Sequence, residues 1–206
     1  RAAPGMFGPQ ARIGVVGLGV GTLACYRQPG QIWTFFEIDP VVLDYSQSGL
    51  FTFLERCAAD EPVVIGDARL ELERMAPGSF DLLAIDAFSS DAIPLHLLTA
   101  EALDIYWRAL APDGVLVMHI SNRYVELEPV LARLAQARGL HALVRHDVPD
   151  RAGLYPSGWV AFTRHPARLA QLTAAAQWDE LATPRGAAWR DEYASILPFL
   201  LWENFL

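Results

Sequence analysis

Short apolar runs alternate with mixed polar and apolar segments along most of the chain. The runs at 12–17, 32–38 and 80–86 are rich in branched and aromatic residues, as is typical of strands covered on both faces. The segments between them contain helix-start and turn signals. Asp39-Pro40, for example, puts an N-cap residue before a proline in the first helical turn. Because strand and helix signals alternate, the pattern predicts a doubly wound α/β fold.

The same pattern gives the number and order of the predicted elements. We expect seven strands in a mostly parallel sheet, at 12–17, 32–38, 62–66, 80–86, 115–120, 140–145 and 159–163. Helical segments are expected within 19–27, from 40 onward, and over 68–75, 99–110, 125–138 and 166–177. We further expect residues 1–177 to form one domain and residues 178–206 to form an irregular tail that packs on it.

Composition indicates a globular chain and narrows the classes of partner. The chain has 206 residues, of which 52% are hydrophobic and 19% are charged, so it can bury a core. Its net charge of −8 argues against nucleic acid as a partner, because phosphates attract a basic surface. An acidic surface suits a cationic small molecule, although many enzymes with neutral substrates are equally acidic.

Cysteine and hydropathy patterns bear on the compartment. Cys25 and Cys57 match no metal-binding or disulfide pattern, which fits a reducing compartment. No apolar run approaches the roughly eighteen residues of a membrane span, and residues 1–10 lack the apolar core of a signal peptide. We therefore expect a cytoplasmic protein. The chain begins without Met, and whether it is a fragment of a longer protein stays open.

A glycine-rich segment follows the first predicted strand. Residues 17–22 read Gly-Leu-Gly-Val-Gly-Thr, and glycine lets the backbone turn sharply and approach a ligand closely. The dinucleotide-binding pattern needs a third small residue at position 22, where this chain has Thr. The spacing of Gly17, Gly19 and Gly21 is instead typical of S-adenosylmethionine folds. The segment therefore predicts a nucleoside-binding site.

Acidic residues stand at the ends of three predicted strands, where ligands bind in such sheets. Glu37 ends the second strand, twenty positions after Gly17, and a carboxylate there can accept from both ribose hydroxyls. At Asp67-Ala68 the carboxylate can accept from an adenine amino group while the next backbone N–H donates to the ring; Asp67 can also act as an N-cap. Asp86 ends an apolar strand, where burial of a carboxylate without a partner is unfavourable in free energy. We therefore expect a functional role for it.

Several segments together resemble the spermidine synthases. They are the glycine-rich segment, Phe-Glu-Ile-Asp-Pro at 36–40, Gly-Asp-Ala at 66–68, and 80–94 with Asp-Ala-Phe-Ser-Ser-Asp at 86–91. The chain is most similar to the bacterial branch that is often fused to a membrane-spanning region. His-Ile-Ser-Asn-Arg-Tyr at 119–124 and Trp-Arg-Asp-Glu-Tyr at 189–193 also resemble that branch. The resemblance implies a Rossmann-like fold of the class I S-adenosylmethionine-dependent methyltransferase type.

The resemblance also implies an activity, aminopropyl transfer. Decarboxylated S-adenosylmethionine would donate the group to a polyamine such as putrescine, releasing methylthioadenosine, and no metal is required. Glu37 would hold the ribose and Asp67 the adenine. Asp86 matches the family's catalytic carboxylate and Asp91 the second acid of the same loop. This loop departs from the family's Asp-x-x-Asp-Pro spacing, because four residues separate the two acids and proline follows only at 94.

Two further residues are candidates for contact with the amine, and other functions stay open. His119 either contacts substrate or packs as a structural residue, and Tyr193 either closes the pocket or packs in the tail. A small-molecule methyltransferase that uses S-adenosylmethionine is an alternative on the same fold. A non-catalytic nucleoside-binding module of a larger membrane protein is another. The donor, the acceptor amine and a homodimer also stay open.

Overall fold

The computed structural model describes residues 6–87, 93–148 and 156–205. The strands are β1 Arg12–Val16, β2 Ile32–Glu37, β3 Val63–Ile65, β4 Phe80–Ile85, β5 Leu110–His119, β6 His141–Asp147, β7 Ser157–Thr163 and β8 Asp179–Glu180. Across the described residues these eight strands form one mixed sheet in the order β3-β2-β1-β4-β5-β7-β6-β8. The prediction of an α/β sheet is confirmed.

Helices connect most of the strands. The α-helices are α1 Pro40–Gln47, α2 Phe53–Ala58, α3 Ala68–Arg74, α4 Ala100–Ala109, α5 Glu128–Arg138 and α6 Pro166–Ala175. Short 3₁₀ helices occur at Thr22–Tyr26, Leu95–Leu97, Leu197–Phe199 and Trp202–Phe205. Within the part of the chain that the structure describes, every helix is too short or too polar to cross a bilayer.

The chain divides into two compact units, and the first comprises residues 6–87 and 105–116. In this unit β1 pairs in parallel with β2 on one side and with β4 on the other, and β2 pairs in parallel with β3. The strand order therefore changes direction at β1, and α/β folds bind ligands beyond the carboxyl ends of the strands at such a point. Nearly fully buried core residues of this unit include Ile13, Val15, Phe35, Phe36, Leu83 and Ile85.

The second unit comprises residues 93–104, 117–148 and 156–205. Here β6 pairs antiparallel with both β7 and β8. The last part of the chain is attached by backbone hydrogen bonds, one of which runs from Leu201 N–H to the Tyr124 carbonyl oxygen at 2.8 Å. The buried rings of Trp189 and Phe199 meet edge to face, with 5.8 Å between their centroids. The segment after residue 178 therefore adds aromatic side chains to the core of this unit.

The structure differs from the predicted sheet and helices in four respects. The described residues form eight strands rather than seven, because Asp179–Glu180 pairs with β6, and a two-residue strand shows no alternation in sequence. β5 begins at Leu110 rather than at 115. The predicted helix after the glycines is a 3₁₀ helix at Thr22–Tyr26, and α2 at Phe53–Ala58 was not predicted because six residues are too few to show a helical period.

The prediction for the cysteines was also wrong. Cys25 and Cys57 form a disulfide, with their Cα atoms 4.9 Å apart. The two residues are separated by 32 positions, so their spacing alone gives no sign of a pair. They meet because β2 and α1 return the chain, so that α2 packs against the 3₁₀ helix Thr22–Tyr26.

Candidate nucleoside-binding site

The parallel register of the first unit aligns the carboxyl ends of its strands. Val16 of β1 pairs with Phe36 of β2 and with Ile85 of β4. The residues that follow these three are Gly17, Glu37 and Asp86. Glu37 in turn pairs with Ile65, the last residue of β3, and Asp67 comes two positions later. The structure therefore brings these four predicted site residues to one edge of the sheet.

Gly17 is required by the backbone. Its φ of 93° is left-handed, and a Cβ there would lie 2.3 Å from the carbonyl oxygen of Asp86. The N–H of Gly17 donates to the Phe36 oxygen at 2.8 Å, and the N–H of Asp86 donates to the Val16 oxygen at 2.7 Å. A larger residue at position 17 would therefore force the ends of β1 and β4 apart.

Gly19 and Gly21 also have left-handed φ angles, of 52° and 86°. Gly21 caps the 3₁₀ helix, and a Cβ there would lie 3.2 Å from the backbone nitrogen of Leu54. A Cβ on Gly19 would meet no described atom within 4 Å. Packing therefore explains the glycines at 17 and 21, whereas the backbone at Gly19 leaves room for a ligand.

The Glu37 side chain is buried, and both of its oxygens have backbone donors. Oε2 accepts from the Leu18 N–H at 2.9 Å, and Oε1 accepts from the Asp39 N–H at 3.0 Å. A carboxylate offers about four acceptor positions, so each oxygen can accept a further hydrogen bond from a ligand hydroxyl. Sequence reasoning named Glu37 but missed Leu18, because backbone donors leave no mark in a sequence.

Asp67 caps α3 through its side chain. Its Oδ1 accepts from the N–H groups of Arg69 at 2.9 Å and Leu70 at 3.2 Å. The N-cap interpretation is therefore confirmed, while the adenine contact stays a prediction. Asp39 caps α1 in the same way, accepting from the Val41 N–H at 2.9 Å, as predicted. Ala68, whose N–H is the predicted donor to the ring, begins α3.

Exposed apolar side chains stand beside the polar positions of this edge. Ile38, which directly follows Glu37, is 66% exposed, and Ile65, at the end of β3, is 40% exposed. Leu70 in the first turn of α3 is 52% exposed. Binding pockets combine apolar walls with a few placed polar groups, and a purine ring has two apolar faces. The sequence reasoning missed these residues because single apolar residues at strand ends look like core.

Tyr106 of α4 is fully buried and interacts electrostatically with residues at the start of α3. Loss of water around the hydroxyl raises the pKa of Tyr106 far above its ordinary value. The charge of Arg69 opposes this rise in pKa, whereas the charge of Asp67 adds to it. Sequence reasoning did not identify Tyr106, because its amphipathic helix makes it look like an ordinary core aromatic.

The predicted catalytic carboxylate, Asp86, is half-buried and directly follows β4. The second acid of the loop, Asp91, lies outside the described residues. The geometry between the two acids is therefore still a prediction. Among the residues that the structure describes, no group of three or more His, Cys, Asp and Glu side chains could hold a metal ion.

The other two predicted substrate contacts belong to the second unit. His119 Nε2 and Ser121 Oγ share a hydrogen bond of 2.8 Å, and the same hydroxyl oxygen accepts from the Gly158 N–H at 2.8 Å. The His119 ring stacks on Trp159 with 4.8 Å between centroids. Tyr193 is 65% exposed. The structure therefore fixes the orientation of the histidine and leaves the tyrosine ring largely open to solvent, while contact of either with an amine stays a prediction.

The motif at 189–193 holds the start of α4. The Trp189 carbonyl oxygen accepts from the Ala100 N–H at 2.8 Å. Thr99 Oγ1 donates to Asp191 Oδ1 at 2.8 Å, and the Asp191 N–H donates to a Glu101 oxygen at 3.1 Å. The motif that resembles the fused bacterial branch therefore acts in this unit as an anchor for a helix end.

Comparison with known proteins adds to this picture. No family model matches the chain. A curated polyamine aminopropyltransferase from Vibrio vulnificus (strain CMCP6) is 34% identical over 118 residues, which cover 54% of this chain and 38% of the relative. The chain thus spans less than half the length of that relative.

Solved structures share the fold over most of the chain. A probable spermidine synthase from Corynebacterium glutamicum ATCC 13032 gives a TM-score of 0.66 at 21% identity, covering 91% of this chain and 74% of that one. A spermidine synthase in complex with the transition-state analogue AdoDATO gives 0.60 at 14% identity, covering 92% and 65%. The resemblance to the spermidine synthases is confirmed.

The same fold also occurs in a methyltransferase. A precorrin-6y C5,15-methyltransferase from Geobacter metallireducens GS-15 gives a TM-score of 0.55 at 17% identity, covering 75% of this chain and 80% of that one. The predicted methyltransferase-type fold is therefore confirmed, with a mixed eight-stranded sheet in the described part of this chain. At these identities the structural likeness establishes the fold, and the reaction has to be argued from the site.

Proposed function

We propose that this chain is the catalytic domain of a spermidine-synthase-like aminopropyltransferase. The observation on which the proposal rests is the Glu37 carboxylate, held at the end of β2 by the N–H groups of Leu18 and Asp39. An acidic strand end beside a glycine-rich turn is the arrangement that binds a ribose in nucleotide-binding sheets. The similarity of about half the chain to a polyamine aminopropyltransferase supports this choice of reaction.

The proposed donor is decarboxylated S-adenosylmethionine, with S-adenosylmethionine itself as the alternative. Glu37 accepts from the ribose hydroxyls, and Gly19 lets the backbone approach the ligand. Asp67 accepts from the adenine amino group while the Ala68 N–H donates to the ring. The exposed side chain of Ile38 covers one face of the adenine. The analogue-bound spermidine synthase of the same fold supports a donor of this type.

In the proposed reaction an amine nitrogen attacks the propyl carbon beside the sulfonium. The new C–N bond forms as the C–S bond breaks, and methylthioadenosine leaves with the electron pair on sulfur. An alkylamine has a pKa near that of lysine, about 10.4, so it is mostly protonated at neutral pH. Asp86 orients the amine and accepts its proton. Asp91 anchors the far cationic end, and His119 and Tyr193 contact the substrate.

The proposal extends to the charge of the substrate, the location of the protein and the bounds of its domains. The net charge of −8 supports a cationic amine as substrate and disfavours nucleic acid. We propose a cytoplasmic location, and resemblance to the fused bacterial branch supports a membrane-spanning region in a longer protein. A homodimer stays open. Residues 1–177 would form the catalytic domain and 178–206 a tail packed on it; the hydrogen bond between Leu201 and Tyr124 supports that packing.

Product analysis tests the reaction. The chain is incubated with either donor, with and without putrescine, and the products are identified by mass spectrometry. We expect spermidine and methylthioadenosine only when the decarboxylated donor and putrescine are both present. A methylated product from S-adenosylmethionine would instead favour the second candidate, a methyltransferase, which the shared fold allows. Ligand binding without turnover would favour a non-catalytic module.

A further inference from the structure

The disulfide ties the glycine-rich turn to α2. Cys25 lies in the 3₁₀ helix Thr22–Tyr26, for which Gly21 is the N-cap, and its partner Cys57 lies in α2. Gly21 also lies close to α2: a Cβ at this position would be 3.2 Å from the backbone nitrogen of Leu54. The covalent bond and the close packing therefore act on the same end of the turn.

The glycine-rich turn needs contacts that hold it in place, because three of its residues are glycines. Its three left-handed glycines have wide conformational freedom when they are not held in place, so ordering them is unfavourable in entropy. At its start, the Leu18 N–H is held by the Glu37 carboxylate at 2.9 Å. At its far end, the disulfide links the helix that follows to α2. Loss of the disulfide would leave that end with its local backbone hydrogen bonds and its packing on α2, and without a covalent link.

The position of the disulfide makes it open to reduction. Cys25 is exposed and Cys57 is half-buried, so a soluble thiol can reach the Cys25 sulfur. In a reducing compartment a disulfide, when present, is usually transient and often senses redox state. A disulfide beside the ligand-binding turn of a protein with a proposed cytoplasmic location therefore fits a regulatory role.

We propose that the Cys25–Cys57 disulfide is a redox-sensitive control of nucleoside binding, an inference that rests on the proposed nucleoside site. In the oxidised form the turn is held and the nucleoside binds tightly. A dithiol reduces the disulfide in two steps: one thiolate bonds to the Cys25 sulfur and releases the Cys57 thiolate, and the second thiolate then releases Cys25 as a cyclic disulfide forms. Two electrons and two protons pass to the protein, and the turn loosens.

Binding of methylthioadenosine tests the proposal. Calorimetry compares the oxidised chain with the chain kept in dithiothreitol, and intact mass and thiol titration verify each state. We expect reduction to weaken binding by about fivefold or more, the lower end of usual coupling between two sites, and reoxidation to restore it. The double variant Cys25→Ser, Cys57→Ser should bind at the weaker level with and without dithiothreitol. If that variant does not fold by circular dichroism, the reduced natural chain decides.

Hydrogen exchange of residues 17–26 provides a readout that needs no ligand. Reduction should speed amide exchange in this segment while leaving β1 protected. Equal affinity and equal exchange in the two verified states would overturn the proposal, as would a disulfide that dithiothreitol does not open. A third outcome is faster amide exchange on reduction together with no methylthioadenosine binding in either state. It would support redox control of the turn and contradict the proposed nucleoside function. The two failures are therefore distinguishable.

Discussion

The carboxylate of Glu37 accepts a hydrogen bond from the backbone N–H of Leu18 at 2.9 Å, joining the end of β2 to the turn that follows β1. The same buried carboxylate accepts from the Asp39 N–H at 3.0 Å. One side chain thus holds the shape of the glycine-rich turn and presents acceptor oxygens at the edge of the sheet. A substitution at this position should therefore affect both folding and ligand binding.

Replacing Glu37 with Ala should weaken methylthioadenosine binding by about 1.5–3 kcal/mol, the value of a hydrogen bond to a charged group. It should also lower stability, because the Leu18 N–H loses its acceptor. Calorimetry and denaturant unfolding measure the two effects. The control is Glu73→Ala, at an exposed position of α3. Unchanged nucleoside affinity in Glu37→Ala would remove this residue from the site.

Gly17 and Gly19 form a matched pair for alanine substitution. Both have left-handed φ angles, which makes Ala unfavourable by about 1–2 kcal/mol at either position. At Gly17 the Cβ would also lie 2.3 Å from the Asp86 oxygen, which adds about 1–3 kcal/mol of overpacking. Denaturant unfolding should therefore show a clearly larger loss of stability for Gly17→Ala. Gly19→Ala should instead fold and lose nucleoside affinity, and equal stability of the two variants would contradict the geometry.

Asp67 and Asp39 separate capping from ligand binding. Each side chain caps a helix, so replacing either with Ala should lower the free energy of unfolding by about 0.5–2 kcal/mol. We expect only Asp67→Ala to weaken binding, and by a similar factor for every adenine nucleoside, whatever group sulfur bears. Calorimetry with methylthioadenosine and with S-adenosylmethionine checks this. If only the sulfonium ligand binds more weakly, the carboxylate lies near sulfur rather than near adenine.

Asp86→Asn keeps the shape of the side chain and removes its basic charge. Turnover should fall about a hundred- to ten-thousand-fold, the usual contribution of general-base catalysis, with little change in nucleoside affinity. Asp91→Asn should instead raise the Michaelis constant for putrescine, because it removes an anchoring charge. Steady-state kinetics with putrescine as the varied substrate distinguishes the two. Near-normal turnover in Asp86→Asn would sink the proposed base, and release of methylthioadenosine without any amine would leave a donor-cleaving enzyme.

The buried hydroxyl of Tyr106 should lower the free energy of unfolding at high pH. Burial raises the pKa of its hydroxyl in the folded chain, whereas an unfolded tyrosine has a pKa of about 10. The stability that comes from this difference is fully present below about pH 10 and is lost as pH rises toward the folded pKa. The chain has no lysine, so tyrosines dominate titration in this range.

Urea unfolding between pH 9 and pH 11 measures the effect of Tyr106. Between pH 9 and pH 11 we expect the free energy of unfolding to fall less steeply for Tyr106→Phe than for the natural chain. Tyr193→Phe, at a site that is 65% exposed, is the control and should follow the natural chain. Parallel curves for the natural chain and Tyr106→Phe would rule out a role for this hydroxyl in the alkaline loss of stability.

Much of the first unit was readable in the sequence because its signals are local. Continuous apolar runs gave β1, β2 and β4 to within one residue at either end. Asp39-Pro40 gave the start of α1, since an N-cap side chain bonds to its own first turn. The glycines and acidic residues that follow the strands could be named as one site, because parallel strands all point their carboxyl ends to the same edge.

Contacts between distant segments were decided only by the tertiary structure. No sequence period connects the positions that these contacts join. They are the disulfide between Cys25 and Cys57, the pairing of β8 with β6, and the hydrogen bond from the Leu18 N–H to the Glu37 carboxylate. The sequence by itself determined the α/β class, the order of the main elements and which residues stand at strand ends, because these follow from the period and chemistry of neighbouring residues. Which of those residues contact one another depended on how the backbone returned on itself, and that is fixed by packing across the whole unit.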